Sequence, residues 1–277
     1  MWCLHRHVSL PRPDTSAISA GARPRPVQRL PRLRGDLSSW RSVGESRLRD
    51  RPAHSRGWAA RGGWATRGAW AVNSRAVHPI EAESYRLLAA RMDLSSVPPP
   101  VAAIVSRVAH ATADLDLAAS LVAPEHAVDA GVRAIASGAQ IVCDVEMLRA
   151  GISTLESCCH LRQCEPLAGG FPTRSARGIR LAAEAHPRGA IFAVACAPSA
   201  LEELSALISR GACVPSLVVA LPVGFVGAAV SKARAIEVCA DAGVAVISNV
   251  GERGGSAAGA SVLNALARLA AREEPDV

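Results

Sequence analysis

The sequence predicts an α/β fold: a mainly parallel sheet flanked by helices on both faces, with a disordered N-terminal arm. Three observations carry this. Beyond residue 77, short apolar runs alternate with longer helical stretches, the pattern of strand–helix–strand units in a parallel sheet. The runs are rich in Val and Ile and only four to six residues long, as strands buried on both faces are. Residues 1–77 have a different composition, with 15 of the 31 Lys+Arg, 4 of the 24 Asp+Glu and all five Trp.

The elements follow in order. His78-Pro79 precedes a helical stretch from Ile80 to Met92, which Pro98-Pro99-Pro100 breaks. A second helix begins at Val101. Pro124 opens a third that runs to about Ser137, where Gly138 stops it. Gln140–Cys143, Ala190–Ala195, Ser216–Leu221 and Val244–Ser248 read as buried strands. Helices near 175–186, 198–211, 229–241 and 256–271 fall between or after them. In such sheets the ligand sits outside the carboxyl ends of the strands.

Two regions result: a basic, disordered extension, 1–77, and one α/β domain, 78–277. The arm carries a net charge of +11, so the remaining 16 basic and 20 acidic residues leave the domain at −4. The whole-chain pI of 9.4 describes the arm, and nucleic acid is not expected as a partner of the domain. The arm lacks the continuous apolar run of a secretory signal and buries too little apolar surface to offset its chain entropy. No run of about 18 uninterrupted apolar residues is present, so no membrane span is expected. Cys143, Cys196, Cys213 and Cys239 lie in or beside apolar segments and read as reduced thiols of a cytoplasmic protein. Cys158-Cys159-His160 with Cys164 invites a metal reading. Adjacent cysteines fit poorly around one zinc, and no second ligand pair follows at the usual spacing, so no metal is expected.

Several polar residues stand out. His110 lies roughly opposite the helical stripe of Val101, Ile104, Val105 and Val108, which makes it either a solvated histidine or a functional one. Thr173-Arg174-Ser175 opens a helix, where anions are favoured. Arg174 is equally a surface residue or a fork for a carboxylate. Asp144 follows a buried strand and Asp116 lies near His110; each orients a polar group or caps a helix. Gly251-Glu252-Arg253-Gly254-Gly255-Ser256 leads into a helix, an arrangement able to cradle an anion. Neither it nor Gly224–Lys232 meets the Walker pattern, so a P-loop is rejected. Lys232, the only lysine, meets a ligand carboxylate or caps a turn.

The order of segments is more specific than any one of them. Val108-Ala109-His110-Ala111-Thr112 is followed by Ile141-Val142-Cys143-Asp144-Val145-Glu146-Met147, then Pro172-Thr173-Arg174-Ser175-Ala176 and Ala197-Pro198-Ser199-Ala200-Leu201. Leu221–Lys232 and Arg253-Gly254-Gly255-Ser256-Ala257 complete the series. Together they resemble the precorrin-8X methylmutase family, the precorrin isomerases of cobalamin biosynthesis and their cobalt-precorrin-8 counterparts, over roughly residues 78 to 270. The resemblance implies an isomerase that moves a methyl group from C11 to C12 of a corrin ring without a cofactor. It implies a homodimer with the active site between subunits. It makes His110 the acid/base and Ser84, Arg174, Lys232, Asp144 and Arg253 contacts to the tetrapyrrole. Some positions depart from the family pattern. Pro172 stands where G-N-T-R-S-A has Asn, Ala195-Cys196 replaces the Gly-Asn of G-N-A-P-T-A-L, and Val230 replaces the Glu of A-A-E-S-K. These departures keep open an alternative, a tetrapyrrole-binding protein of the same fold that does not catalyse.

Overall fold

The computed structural model describes residues 78–165, 167 and 171–273. The arm, and with it the expectation of disorder, lies outside the described residues. Helix α1 (Pro79–Ala89) is capped by the His78 ring, which accepts from Ile80 N at 3.2 Å. Helix α2 (Pro99–Thr112) starts two residues before the expected Val101. Its prolines occupy the cap and first turn, where no N–H is required and a fixed φ helps. Asp114 caps the short α3 (Leu115–Ala119) by accepting from Leu117 N at 2.9 Å. The chain continues through β1 (Leu121–Val122), α4 (Glu125–Ala136), β2 (Ile141–Cys143), α5 (Glu146–Ala150) and β3 (Ser157–Cys159). A 3₁₀ turn at Leu161–Gln163 leads on to α6 (Arg174–Ala185) and β4 (Ile191–Val194). Then come α7 (Pro198–Ser209), β5 (Leu217–Ala220), α8 (Ala228–Ala242), β6 (Ala245–Asn249) and α9 (Ser256–Glu273).

The six strands order as β1-β6-β5-β4-β2-β3. Every pairing is parallel except β1 with β6, which is antiparallel. The four expected strands form the centre. The edge strands β1 and β3 were not expected. Two residues, or the sequence Ser157-Cys158-Cys159, carry no apolar run for a pattern to detect.

Side-chain alternation divides the core into two layers. Ile141, Cys143, Ile191, Ala193, Leu217, Val219 and Ile247 face α2, α4, α5 and α9. Val142, Phe192, Val194, Val218, Ala220 and Val246 face α6, α7 and α8. Both faces are thus buried, as continuous apolar strands require. Helix α1 sits outside this sandwich, packing Leu88 and Tyr85 against Val105 and Ala109 of α2. Helix α9 lies very close to the sheet. A Cβ on Gly259 would stand 2.5 Å from Ala195 Cβ at the end of β4, so only glycine permits this approach. Among the described residues no helix is long and apolar enough to cross a membrane.

Candidate active site

The carboxyl ends of β4, β5 and β6 are built from tightly ordered loops. After β2, the Asp144 carboxylate is buried and accepts three backbone N–H groups: Ala195 at 3.3 Å, Cys196 at 2.9 Å and Ala197 at 3.0 Å. It thereby orders the turn from β4 into α7. Burial pushes its carboxyl up, and these N–H groups oppose that shift. After β6, Gly254 adopts φ 159° beneath Leu221; a Cβ there would collide with Leu221 O and come within 2.6 Å of Pro222 O. Gly255 N donates to Leu221 O at 2.9 Å. Lys232, fully buried on α8, reaches across to donate to Asn249 Oδ1 at 2.9 Å and Arg253 O at 2.7 Å. Burial lowers its pKa to about 8. Asp144 and Lys232, expected from the resemblance to touch the ligand, each hold a loop in place through these bonds.

Arg253 itself points outward and pairs with Asp114 at 2.5 Å and Asp116 at 3.2 Å. This ties the β6–α9 loop to the segment just after α2. His110 lies four residues before Asp114 and is half-buried. Its Nδ1 lies 2.7 Å from Ser84 Oγ, and its ring stacks on Tyr85 with centroids 4.8 Å apart at 18°. Two expected site residues, 26 positions apart in the chain, thus meet across α1 and α2. The hydroxyl engages the ring at Nδ1, and Nε2 is the second ring nitrogen, outside that contact. Arg107 and Arg268 flank this pair, each ion-paired with Glu81, at 3.1 and 3.6 Å. Burial first, then the charges of Arg107 and Arg268, hold the His110 pKa below 6.5 against the pull of Glu81.

Arg174 stands apart from His110 in the contacts it makes. Its Nε donates to Cys164 O at 2.8 Å and one terminal nitrogen to Leu161 O at 3.2 Å. The rest of the guanidinium is exposed at the start of α6. Thr173 caps that helix and shares a 2.7 Å hydrogen bond with Ser199 at the start of α7. The peptide between Phe171 and Pro172, at the site of the Asn departure, is cis.

The family model for precorrin-8X methylmutase matches residues 79–269. The chain belongs to that family. It is 34% identical over 200 residues to a cobalt-precorrin-8 methylmutase of Priestia megaterium, covering 69% of this chain and 87% of the relative. It is 35% identical over 198 residues to a precorrin-8X methylmutase of Pseudomonas aeruginosa, covering 68% and 93%. A solved precorrin-8X methylmutase structure from Thermus thermophilus superposes with a TM-score of 0.62 at 34% identity, covering 70% of this chain and 96% of that one. The chain is accordingly an isomerase of cobalamin biosynthesis.

Two members of this region were not singled out in the sequence, and a third, Ser256, was named there only as part of its loop. Glu81 balances the two arginines beside His110. Tyr85 supplies the stacking face. Ser256 Oγ is buried at the first residue of α9 with no hydrogen-bond partner. The signal for the first two was their spacing, four residues apart and so on one face of α1. Ser256 carried a signal as well, a serine just after two glycines, in the position of a helix start.

Proposed function

We propose that this protein moves a methyl group from C11 to C12 of precorrin-8X, or of its cobalt-bearing form, with His110 as the acid/base. The observation that carries the reading is the 2.7 Å contact between Ser84 Oγ and His110 Nδ1 on a ring stacked against Tyr85. An imidazole fixed at one nitrogen presents the other in a constant direction, as proton delivery to a ring nitrogen of the macrocycle needs. Its depressed pKa makes the imidazolium a stronger acid, so the proton leaves readily. Protonation draws electron density from the macrocycle and eases migration of the methyl group. The proton then returns to the imidazole and no net charge is consumed.

The substrate carries several acetate and propionate groups. The exposed edges of Arg174 and Arg253 suit them. The start of α9, with its unpartnered Ser256 hydroxyl, suits a further carboxylate. The ring itself is apolar. Phe225 and Val226 at the tip of the β5–α8 loop, 91% and 89% exposed, offer surface of that kind, as they do for a second copy of the chain. The working unit on this reading is a cytoplasmic homodimer of domain 78–277, with the 1–77 extension dispensable.

Incubation with precorrin-8X tests the reading, through the change from yellow substrate to orange-pink product. His110→Ala should lower turnover by about 10²–10⁴-fold while leaving binding, read by spectral titration, largely intact. Near-normal turnover in that variant would overturn the histidine's role. The second reading, a corrinoid binder that no longer catalyses, is favoured by Ala195-Cys196 in place of Gly-Asn. It predicts a spectral shift on binding and no product from the unmutated chain.

A further inference from the structure

In the sequence, Cys158, Cys159, His160 and Cys164 form no coherent ligand set. The fold selects differently. Cys159 belongs to the layer facing α2 and α9, whereas Cys158 points to the opposite layer, toward α6. There it meets His186, the residue that ends α6, with Sγ 3.9 Å from Nε2. His160 completes the group, its ring 6.2 Å from that of His186 at a steep 72°. One ligand atom from each of Cys158, His160 and His186 falls within 4.8 Å of the others. No other group of this kind occurs among the described residues.

We propose that Cys158 Sγ, His160 Nε2 and His186 Nε2 bind one divalent metal ion of zinc-like chemistry, with water completing a tetrahedron. Zn–S and Zn–N bonds at a tetrahedral angle place sulfur and nitrogen about 3.6 Å apart and two nitrogens about 3.4 Å apart. The separation of 3.9 Å between Cys158 and His186 is already close to this, and small side-chain rotations bring His160 in. Thiolate with imidazole is a donor set for borderline-soft ions and not for Mg²⁺ or Ca²⁺. His160 Nδ1 lies 3.3 Å from Gln163 Oε1. An N–H donated to that carbonyl fixes the tautomer and frees Nε2, as second-shell partners of ligating histidines do. All three ligands are half-buried, so solvent reaches the ion and the fourth position stays open.

The site is separate from His110. Occupation ties edge strand β3 and the turn after it to the end of α6, joining residues 158–160 to residue 186. Binding converts the Cys158 thiol to a thiolate and releases its proton to solvent. Protons compete with the ion for the thiolate and the two imidazoles, so uptake of metal should weaken as pH falls.

The test uses the full-length protein, stripped of metal with a chelator and titrated with Co²⁺ and, separately, with Zn²⁺ against a chromophoric competitor. One equivalent of Co²⁺ should produce a thiolate-to-cobalt charge-transfer band with the visible bands of a tetrahedral site. Cys158→Ser should abolish the charge-transfer band. His186→Gln should weaken Zn²⁺ affinity at least tenfold, and Gln163→Ala should weaken it on the order of 10-fold. Cys159→Ser should leave the spectrum unchanged. So should Cys3→Ser, which controls for Cys3, His5 and His7 in the arm. Cys158 is half-buried, and circular dichroism of each metal-free variant checks its fold; His186→Gln gives an independent reading should Cys158→Ser misfold. The proposal is overturned by the absence of a thiolate band in the unmutated protein, by a band that survives Cys158→Ser, or by one that disappears in Cys3→Ser.

Discussion

Asp144→Asn is the most revealing single substitution, because it keeps the shape and changes only the bonding. The carboxylate divides its work unevenly. Oδ2 accepts from Cys196 N and Ala197 N at 2.9 and 3.0 Å, and Oδ1 accepts from Ala195 N at 3.3 Å. An asparagine has one oxygen. Placed where Oδ2 lies, it satisfies the two shorter bonds and turns its NH₂ toward Ala195 N, donor against donor. The opposite orientation sacrifices both shorter bonds and is worse. The favoured orientation loses charge assistance on two bonds and orphans one buried N–H. At about 1–3 kcal/mol for an orphaned donor and less for each weakened bond, the cost is about 2–4 kcal/mol. A domain of this size loses about 2–4 °C per kcal/mol, so the melting midpoint should fall by about 4–16 °C. Asp144→Ala orphans all three N–H groups and should fall further. Calorimetry of the three proteins under one set of conditions is the assay. A midpoint for Asp144→Asn within about 2 °C of the unmutated protein would refute the assignment of this carboxylate to the α7 turn. Because that turn carries Cys196 and Ala197, ligand affinity should fall with stability in the same variant.

Other outcomes follow from the same geometry. If imidazolium is the active form, kcat/KM should fall as pH rises through the His110 pKa, with an inflection below 6.5; a profile that rises there would assign the histidine as a base. Gly254→Ala should destabilise severely, since its Cβ meets backbone oxygens of Leu221 and Pro222 and not a flexible side chain; an unaltered melt would show that the loop moves freely. Lys232→Met should change the pH dependence of stability. Between about 8 and 10.5 the unfolded chain holds this proton and the folded chain does not, so the unmutated protein gains stability as pH rises through that window. The variant should lack that gain, worth at most about 3 kcal/mol. The buried thiols of Cys143 and Cys239, pushed up to about 12, act in the opposite sense at high pH. The difference between the two proteins in denaturant titrations is therefore the readout, and parallel curves would refute the argument.

The legible parts of this fold are those whose signal is local. Ile191–Val194 and Leu217–Ala220 announce buried strands because both faces are covered and every residue is apolar. Gly138, at φ 72°, stops α4 where its sequence placed the stop. Boundaries shifted where a residue type has two uses: Pro99 and Pro100 read as breakers and serve as the first turn of α2. In the site, the off-stripe position of His110 was readable from helical geometry alone. Its partner was not, since Ser84 arrives on a separate helix 26 residues earlier, brought by the packing of Leu88 and Tyr85. Asp144 was correctly seen to follow a strand, but its three amide donors come from residues 51 to 53 positions later. His186 likewise joins Cys158 from 28 positions away, beyond any spacing rule for metal ligands.

The close seating of α9 on the sheet limits how this end of the molecule can change. At Gly259 the helix brings no side chain to trim, and an added Cβ would stand 2.5 Å from Ala195 Cβ and 3.1 Å from Leu148 Cδ1. The start of α9 is therefore a fixed datum, like the closed end of a caliper. Phe225 and Val226, at the exposed tip of the β5–α8 loop, meet no such constraint, so substitution has room there. Substitutions should therefore be tolerated at this tip and not at the helix–sheet contact.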